Sequence, residues 1–296
     1  MTLADGIWQQ IFVFDDYGEL LALVRNSLVA GAALGLIGGL AGVFVILRDL
    51  PFAVHGISEL SFAGASAALL MGVNVVAGSI IGSLVAAAVI GVMGARARDR
   101  NSAIGIIMPF GLGLGVLFLA LYKGRAANKF GLLTGQIVAV DTPQMTWLLA
   151  TSAVVLIALA VMWRPLSFAS ADPDVAEARG VPVRGLSLAF MLVLGLAVAL
   201  SVQVVGALLV LTLVVTPAAA AVRVTASPVL LPVLSVVFAV VSIEGGILLA
   251  LGSSIPISPY VTTISFALYA VCRLVGVRPR RRRGAGRRVT APEPAF

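Results

Sequence analysis

The sequence predicts an all-α fold, a polytopic transmembrane helical bundle of eight or nine spans, and three observations predict it. Only 11% of the 296 residues are charged and 60% are hydrophobic, whereas an ordinary soluble domain carries roughly 25% charged residues. The charges cluster, leaving uncharged runs at 26 to 47, 60 to 95, 101 to 122, 142 to 163, 185 to 222, 224 to 243 and 245 to 272, each long enough for the ~20 residues of a membrane helix. The runs at 60 to 95 and 185 to 222 are too long for one helix. Each is predicted to hold two, parting at Gly72-Val73-Asn74 and near Ser201-Val202-Gln203.

Taken in order, residues 1–21 form an acidic N-terminal segment with Asp5, Asp15, Asp16 and Glu19 and no base. It lacks the basic region and cleavage site of a signal peptide, so it is expected to be retained and to lie at the interface. Residues 22–276 form the transmembrane domain. Its first span carries Gly31, Gly35 and Gly39, and later ones carry Gly78 with Gly82 and Gly111 with Gly115, a spacing of four that lets helix backbones approach closely. Asp49 beside Arg48 at the end of the first span is read as a local ion pair at a cytoplasmic boundary.

The second span begins near Phe52, so His55 and Glu59 lie inside it or at its edge. Their i, i+4 spacing puts both on one helical face. A carboxylate near the bilayer centre costs about 2.5–3.5 kcal/mol and is functional by default. An imidazole and a carboxylate on one cavity can ligate a divalent cation in passing, with oxygen or nitrogen chemistry suited to Mn²⁺, Zn²⁺ or Fe²⁺. The same pair can equally be a hydrogen bond that pins helices. Glu244, in SIEGG, reads as an end-of-helix carboxylate or a buried packing group before it reads as a third ligand.

Basic Arg96, Arg98 and Arg100 mark a second cytoplasmic loop. The longest polar interruption is RPLSFASADPDVAEARGVPVRG, with Asp172, Asp174, Glu177 and Arg179 at its centre. Asp172 is a suitable N-cap, Pro173 suits the first turn and Gly180 can end the helix before Pro182. A capped two-turn helix is more than a connection needs; it is either a docking element for a partner or an ordinary surface helix. Residues 277–296 form a basic tail, expected to be disordered, whose Arg278, Arg280, Arg281, Arg282, Arg283, Arg287 and Arg288, less Glu293, supply +6 of the net charge of +7. Beside a final span this reads as a signal holding the C-terminus in the cytoplasm, with affinity for anionic lipid, and not as a nucleic-acid arm.

Several classes drop out. Cys272 is the single cysteine, so neither a disulfide framework nor a thiolate cluster can form within the chain. There is no GxxxxGK[ST] phosphate loop, and neither Lys123 nor Lys129 stands in one, so ATP hydrolysis by this chain is not expected. A membrane-embedded enzyme would have only His55 and Glu59 as acid and base. An ion-coupled secondary transporter would use Glu59 and Glu244 as proton carriers.

From about Leu28 to Leu274 the chain resembles permeases of the zinc/manganese/iron class of ABC transporters. Four stretches carry the resemblance: GLIGGLAGVFVILR with HGISELSFAGASAALLMGV; SAIGIIMPFGLGLGVLFLAL; FGLLTGQIVAV; and DPDVAEARGVPV continuing to VQVVGALLVLTLVVTPAAAA. The resemblance implies a homodimeric permease in the cell membrane. It implies a separate ATPase subunit and an extracytoplasmic metal-binding protein as partners, and a divalent metal as transported substrate with no permanently bound cofactor. It makes DPDVAEARGVPV the coupling helix, with Asp172, Asp174, Glu177, Arg179 and Gly180 seated on the ATPase. The family usually places an Asp and a His four residues apart on the second span; here His55 comes first and Glu59 second, the reverse order. The family's common Asp in the FGLLTGQIVAV stretch is Gln136 here. A permease for an iron chelate or a cobalamin-like ligand shares the general architecture and stands as the nearest alternative.

Overall fold

The structure is a computed structural model that describes residues 18, 21, 24–93, 97–124, 131–132, 142–207, 209–251, 253 and 256–276. Residues 1–17, Gln136 and the tail from 277 lie outside the described residues, as do the side chains of Arg96, Arg98 and Arg100. In chain order the helices are α1 (Arg25–Leu47), α2 (Pro51–Met71), α3 (Val75–Met93), α4 (Ala97–Leu121), α5 (Thr142–Ala171), α6 (Pro173–Ala178), α7 (Val183–Val205), α8 (Val210–Val214), α9 (Thr216–Val224), α10 (Leu230–Leu251) and α11 (Ile257–Val275). Among the described residues eight helices, α1 to α5, α7, α10 and α11, are long and apolar enough to cross a membrane. The fold is therefore the all-α polytopic bundle that the sequence predicts.

The break between α2 and α3 falls where turn chemistry puts it. Gly72 closes α2 in the left-handed region at φ 70°, a conformation that suits glycine. Asn74 opens α3 by accepting from the amides of Val76 (2.8 Å) and Ala77 (3.2 Å). The second long run divides differently from the prediction. α7 continues through Ser201-Val202-Gln203 to Val205 and stops at Gly206, φ 87°. Valine-rich sequence carries the helix past Gln203, whose side chain donates to the Val76 carbonyl (3.5 Å) and so needs no loop.

Beyond α7 the chain makes a broken return. Ser79 donates to the Ala199 carbonyl, which fixes the end of α7 beside the start of α3. Ser265, midway along α11, donates to the Thr212 carbonyl (3.3 Å). Gly276, just past α11, lies against the Arg223 carbonyl. Residues 206 to 224 therefore run from one end of the bundle to the other as two short helices, α8 and α9, with Pro217 at the start of the second. Pro217 lacks the amide that would join them in one ladder. The described residues thus hold eight continuous spans and one interrupted crossing, which accounts for the ambiguity between eight and nine.

Glycine sets the packing. Gly31, Gly35 and Gly39 face Glu244 and Ile247, Val240, and Val236 of α10, and a Cβ on any of them would collide. Gly64 of α2 meets the Gly78 carbonyl of α3, Gly82 meets the Leu60 carbonyl, and Gly111 and Gly115 of α4 lie on α2 at Glu59–Leu60 and Phe62. α2 is thus clasped between α3 and α4 through close backbone approach. A second anchor is aromatic: Phe44 of α1 stands edge-on to Trp163 of α5 (4.8 Å) and Phe190 of α7 (5.8 Å). Arg48 stacks over Phe190 (6.0 Å) and donates to Ser187. These contacts put the α1–α2 turn at the same end of the bundle as α6, which lies between α5 and α7.

Candidate functional site

The turn into α2 decides where its polar face begins. Asp49 takes a left-handed conformation, φ 55°, and the Leu50 amide reaches back to the Val45 carbonyl (2.8 Å). Leu50 is then buried, and Pro51 occupies the first turn of α2, where its missing amide costs nothing. His55 consequently sits about one turn inside α2 and Glu59 about two turns inside.

His55 Nε2 stands 3.6 Å from Glu59 Oε1, with the His55 side chain 28% exposed and that of Glu59 4% exposed. The separation is too long for a hydrogen bond, so the two groups face one another without saturating each other. His55 Nδ1 and Glu59 Oε2 are buried and have no hydrogen-bond partner. Because both side chains belong to α2, their contact pins no two helices together. An imidazole nitrogen and a carboxylate oxygen left without partners are of the donor types that could ligate a hard or borderline cation. The α4 backbone runs alongside: a Cβ on Gly111 would lie 3.0 Å from the Glu59 carbonyl carbon. Pro109, two residues earlier, already interrupts the α4 ladder.

Among the described residues, no group of three or more His, Cys, Asp or Glu gathers anywhere. Glu244 therefore adds no third ligand to the pair. It is not an exposed helix end either. It lies well inside α10, with Oε1 buried against the space left by Gly31. Of the expectations for this residue, the buried packing group is the one the geometry matches. The room for it comes from an α1 glycine that nothing near Glu244 in the sequence points to.

At the α6 end, Asp172 accepts from the Val175 amide (3.0 Å) as N-cap and Pro173 follows it in the first turn. Gly180 terminates the element at φ 83°, with the Val181 amide returning to the Ala176 carbonyl (3.0 Å). Asp172, Asp174, Glu177, Arg179 and Gly180 are all exposed, and Ala176 alone of α6 is buried. The helix thus projects a charged surface away from the bundle. The pair on α2 and the residues around α6 are separate groups, placed on the same half of the bundle.

A central span with buried ionisable groups, an interrupted crossing and a projecting capped helix define a multi-pass membrane transport subunit. The chain belongs to the ABC 3 transport family, whose model matches residues 21–276. It is similar to the manganese transport system membrane protein MntC of Halalkalibacterium halodurans, 28% identical over 263 residues that make up 88% of this chain and 89% of that protein. It is also similar to the high-affinity zinc uptake system membrane protein ZnuB of Haemophilus influenzae, 25% identical over 85% of this chain and 97% of that protein. Among solved structures, PsaBC from Streptococcus pneumoniae in complex with Fab shares the fold, with a TM-score of 0.76 and 23% identity across 92% of this chain and 95% of that one.

Proposed function

We infer that the chain is the membrane permease subunit of an ABC importer that carries a divalent metal ion, manganese, zinc or iron(II), into the cell. Two copies form the pathway, an extracytoplasmic binding protein delivers the ion, and separate ATPase subunits supply the energy. The observation that carries this reading is the His55–Glu59 pair, a buried carboxylate beside a partly open imidazole with buried atoms lacking partners on one face of a central span, in a chain of this family. The names of the relatives, manganese for one and zinc for the other, support a first-row divalent ion as cargo.

His55 supplies a nitrogen and Glu59 oxygens, a combination that manganese, zinc and iron(II) all accept. Ligation by two groups and no more suits transport, since the ion must also leave. Glu59 is closed off in this arrangement while His55, one turn nearer the α6 end, is partly open. That asymmetry fits a site facing one side at a time. The relatives named for manganese and zinc favour a bare ion over a chelate-sized cargo. α6, exposed and charged, is the surface that would seat on an ATPase, with Glu177 and Arg179 as its ionic contacts. α11 ends at the same end of the bundle, so the tail beyond it would emerge on the cytoplasmic side.

Reconstituted with its ATPase and binding protein, the permease takes up a divalent ion in a vanadate-sensitive manner. His55→Ala with Glu59→Ala abolishes uptake and leaves the complex assembled. Unchanged uptake in that double variant refutes the role of the pair. Collapse of uptake by an uncoupler alone, without ATP dependence, refutes the ABC mechanism and points to an ion-coupled carrier.

A further inference from the structure

The polar face of α2 does not end at Glu59. Ser66 is 0% exposed and its Oγ has no hydrogen-bond partner. At 100° per residue, positions 55, 59 and 66 fall within about 40° of one another around the helix. Three unsatisfied buried polar atoms, His55 Nδ1, Glu59 Oε2 and Ser66 Oγ, are therefore aligned along one face of one span. Buried polar atoms without partners are uncommon, and each calls for a reason.

The other hydroxyls nearby make the contrast. Helix serines ordinarily bond back to a carbonyl one turn earlier, as Ser201 does to Ala197 (2.9 Å) and Ser242 to Phe238 (2.7 Å). On α2 itself, Ser58 donates to the His55 carbonyl (2.9 Å), and Ser61 pairs with the Ser79 hydroxyl of α3 (2.8 Å). Those two lie on other faces of the helix. Ser66 alone of the α2 serines keeps its hydroxyl free, and it does so on the face that carries His55 and Glu59.

We propose that Ser66 is a further cation station, a hydroxyl oxygen that ligates the divalent ion or its retained water about 10 Å along α2 from Glu59. This rests on the permease reading above. α2 starts at the α6 end, so Ser66 lies toward the opposite end of the bundle and an inward-moving ion meets it before Glu59 and His55. A neutral oxygen there replaces part of the hydration shell without trapping the ion, and the charged pair then takes over. The order is weak ligand first, stronger ligands second, with release past the partly open His55.

The test uses the full transporter with its ATPase and binding protein, with manganese and zinc as the ions. Ser66→Ala raises the KM for uptake by up to about tenfold, the worth of one lost hydrogen-bond-strength contact, with little change in kcat; Ser66→Thr, which keeps the hydroxyl, restores it. In a Cys272→Ala background, Ser66→Cys reacts during turnover with a small hydrophilic methanethiosulfonate reagent, and zinc protects it. Ala65→Cys, equally buried but turned 100° away, does not react. A KM unchanged in Ser66→Ala, a KM not restored by Ser66→Thr, or Ser66→Cys labelling no faster than Ala65→Cys overturns the proposal. If Ser66→Cys fails to assemble, the Ala and Thr kinetics decide alone. Metal uptake by the wild type and its loss in Glu59→Ala, measured in parallel, keep the permease reading separate: they can hold while the Ser66 station fails.

Discussion

α2 and α11 are the two least hydropathic of the eight spans, and they share the same mean hydropathy over their apolar windows. Their polar residues serve opposite ends. In α2, 61% of that window is buried inside the protein, and its imidazole, carboxylate and Ser66 hydroxyl each keep a buried atom without a hydrogen bond. In α11, 17% is buried, and polar groups along it find hydrogen-bond partners: Thr262 donates to the Ser258 carbonyl (2.9 Å), Thr263 to the Pro259 carbonyl (2.7 Å) and Arg273 to the Tyr269 hydroxyl (3.3 Å) within the helix, and Ser265 to the Thr212 carbonyl across to α8. Average polarity therefore does not separate the two spans. The state of their polar atoms does: α2 carries three buried unsatisfied atoms on one face, where, among the described residues, α10 and α5 each carry a single one, Glu244 Oε1 and Ser152 Oγ, and an unsatisfied group is free to gain a hydrogen bond from a ligand.

The hardest test of this contrast is Glu59→Leu. It is expected to reduce metal uptake to background while the purified permease becomes no less heat-stable, since a buried carboxylate without partners costs about 2.5–3.5 kcal/mol in a span. Uptake and melting temperature, measured on one preparation, check it; a clear loss of stability would make Glu59 a structural residue. Next in size, Gly64→Leu drives a side chain into the Gly78 carbonyl and is expected to cost at least about 1–3 kcal/mol. It should lower the yield of folded protein on size-exclusion chromatography, whereas leucine at Gly105, where a Cβ meets nothing within 4 Å, should leave the yield unchanged.

Gly180→Ala comes third. It forces a side chain into φ 83° at the end of α6, a cost of about 1–2 kcal/mol, and is expected to weaken the coupling of ATP hydrolysis to uptake more than it weakens the bundle. The ratio of ions moved to ATP consumed reads this directly. Thr263→Val in α11 has the least effect: the position is exposed with a self-contained hydrogen bond, so stability is expected to change by no more than about 0.5 kcal/mol and uptake not at all. A large transport defect there would erase the distinction between the two spans.

Much of this arrangement is legible along the chain because its causes are local. The run from Asp172 to Pro182 carries its own cap, its own helix-starting proline and its own terminating glycine, and α6 forms where those residues put it. Gly72 and Asn74 likewise part α2 from α3. The division of the 185 to 222 run is harder to read: Ser201 and Gln203 look like a turn by residue type, but their side chains find carbonyl partners within the helix and across to α3, so the helix continues. Glu244 is equally opaque, because its position against Gly31 depends on α10 packing against a helix from the opposite end of the chain.

That the chain spans a membrane, where most of its helices start and stop, and that His55 and Glu59 share a face are all written in the order of its amino acids. Apolar run length and helical period are properties of a single segment. Which polar groups are used up and which remain open was settled by packing alone. Packing clasped α2 between two glycine-lined neighbours, satisfied Ser61 through Ser79, and left His55, Glu59 and Ser66 with unpaired atoms in the interior. Hydrogen-bond satisfaction depends on what a second helix brings to the first, and no window of sequence contains both.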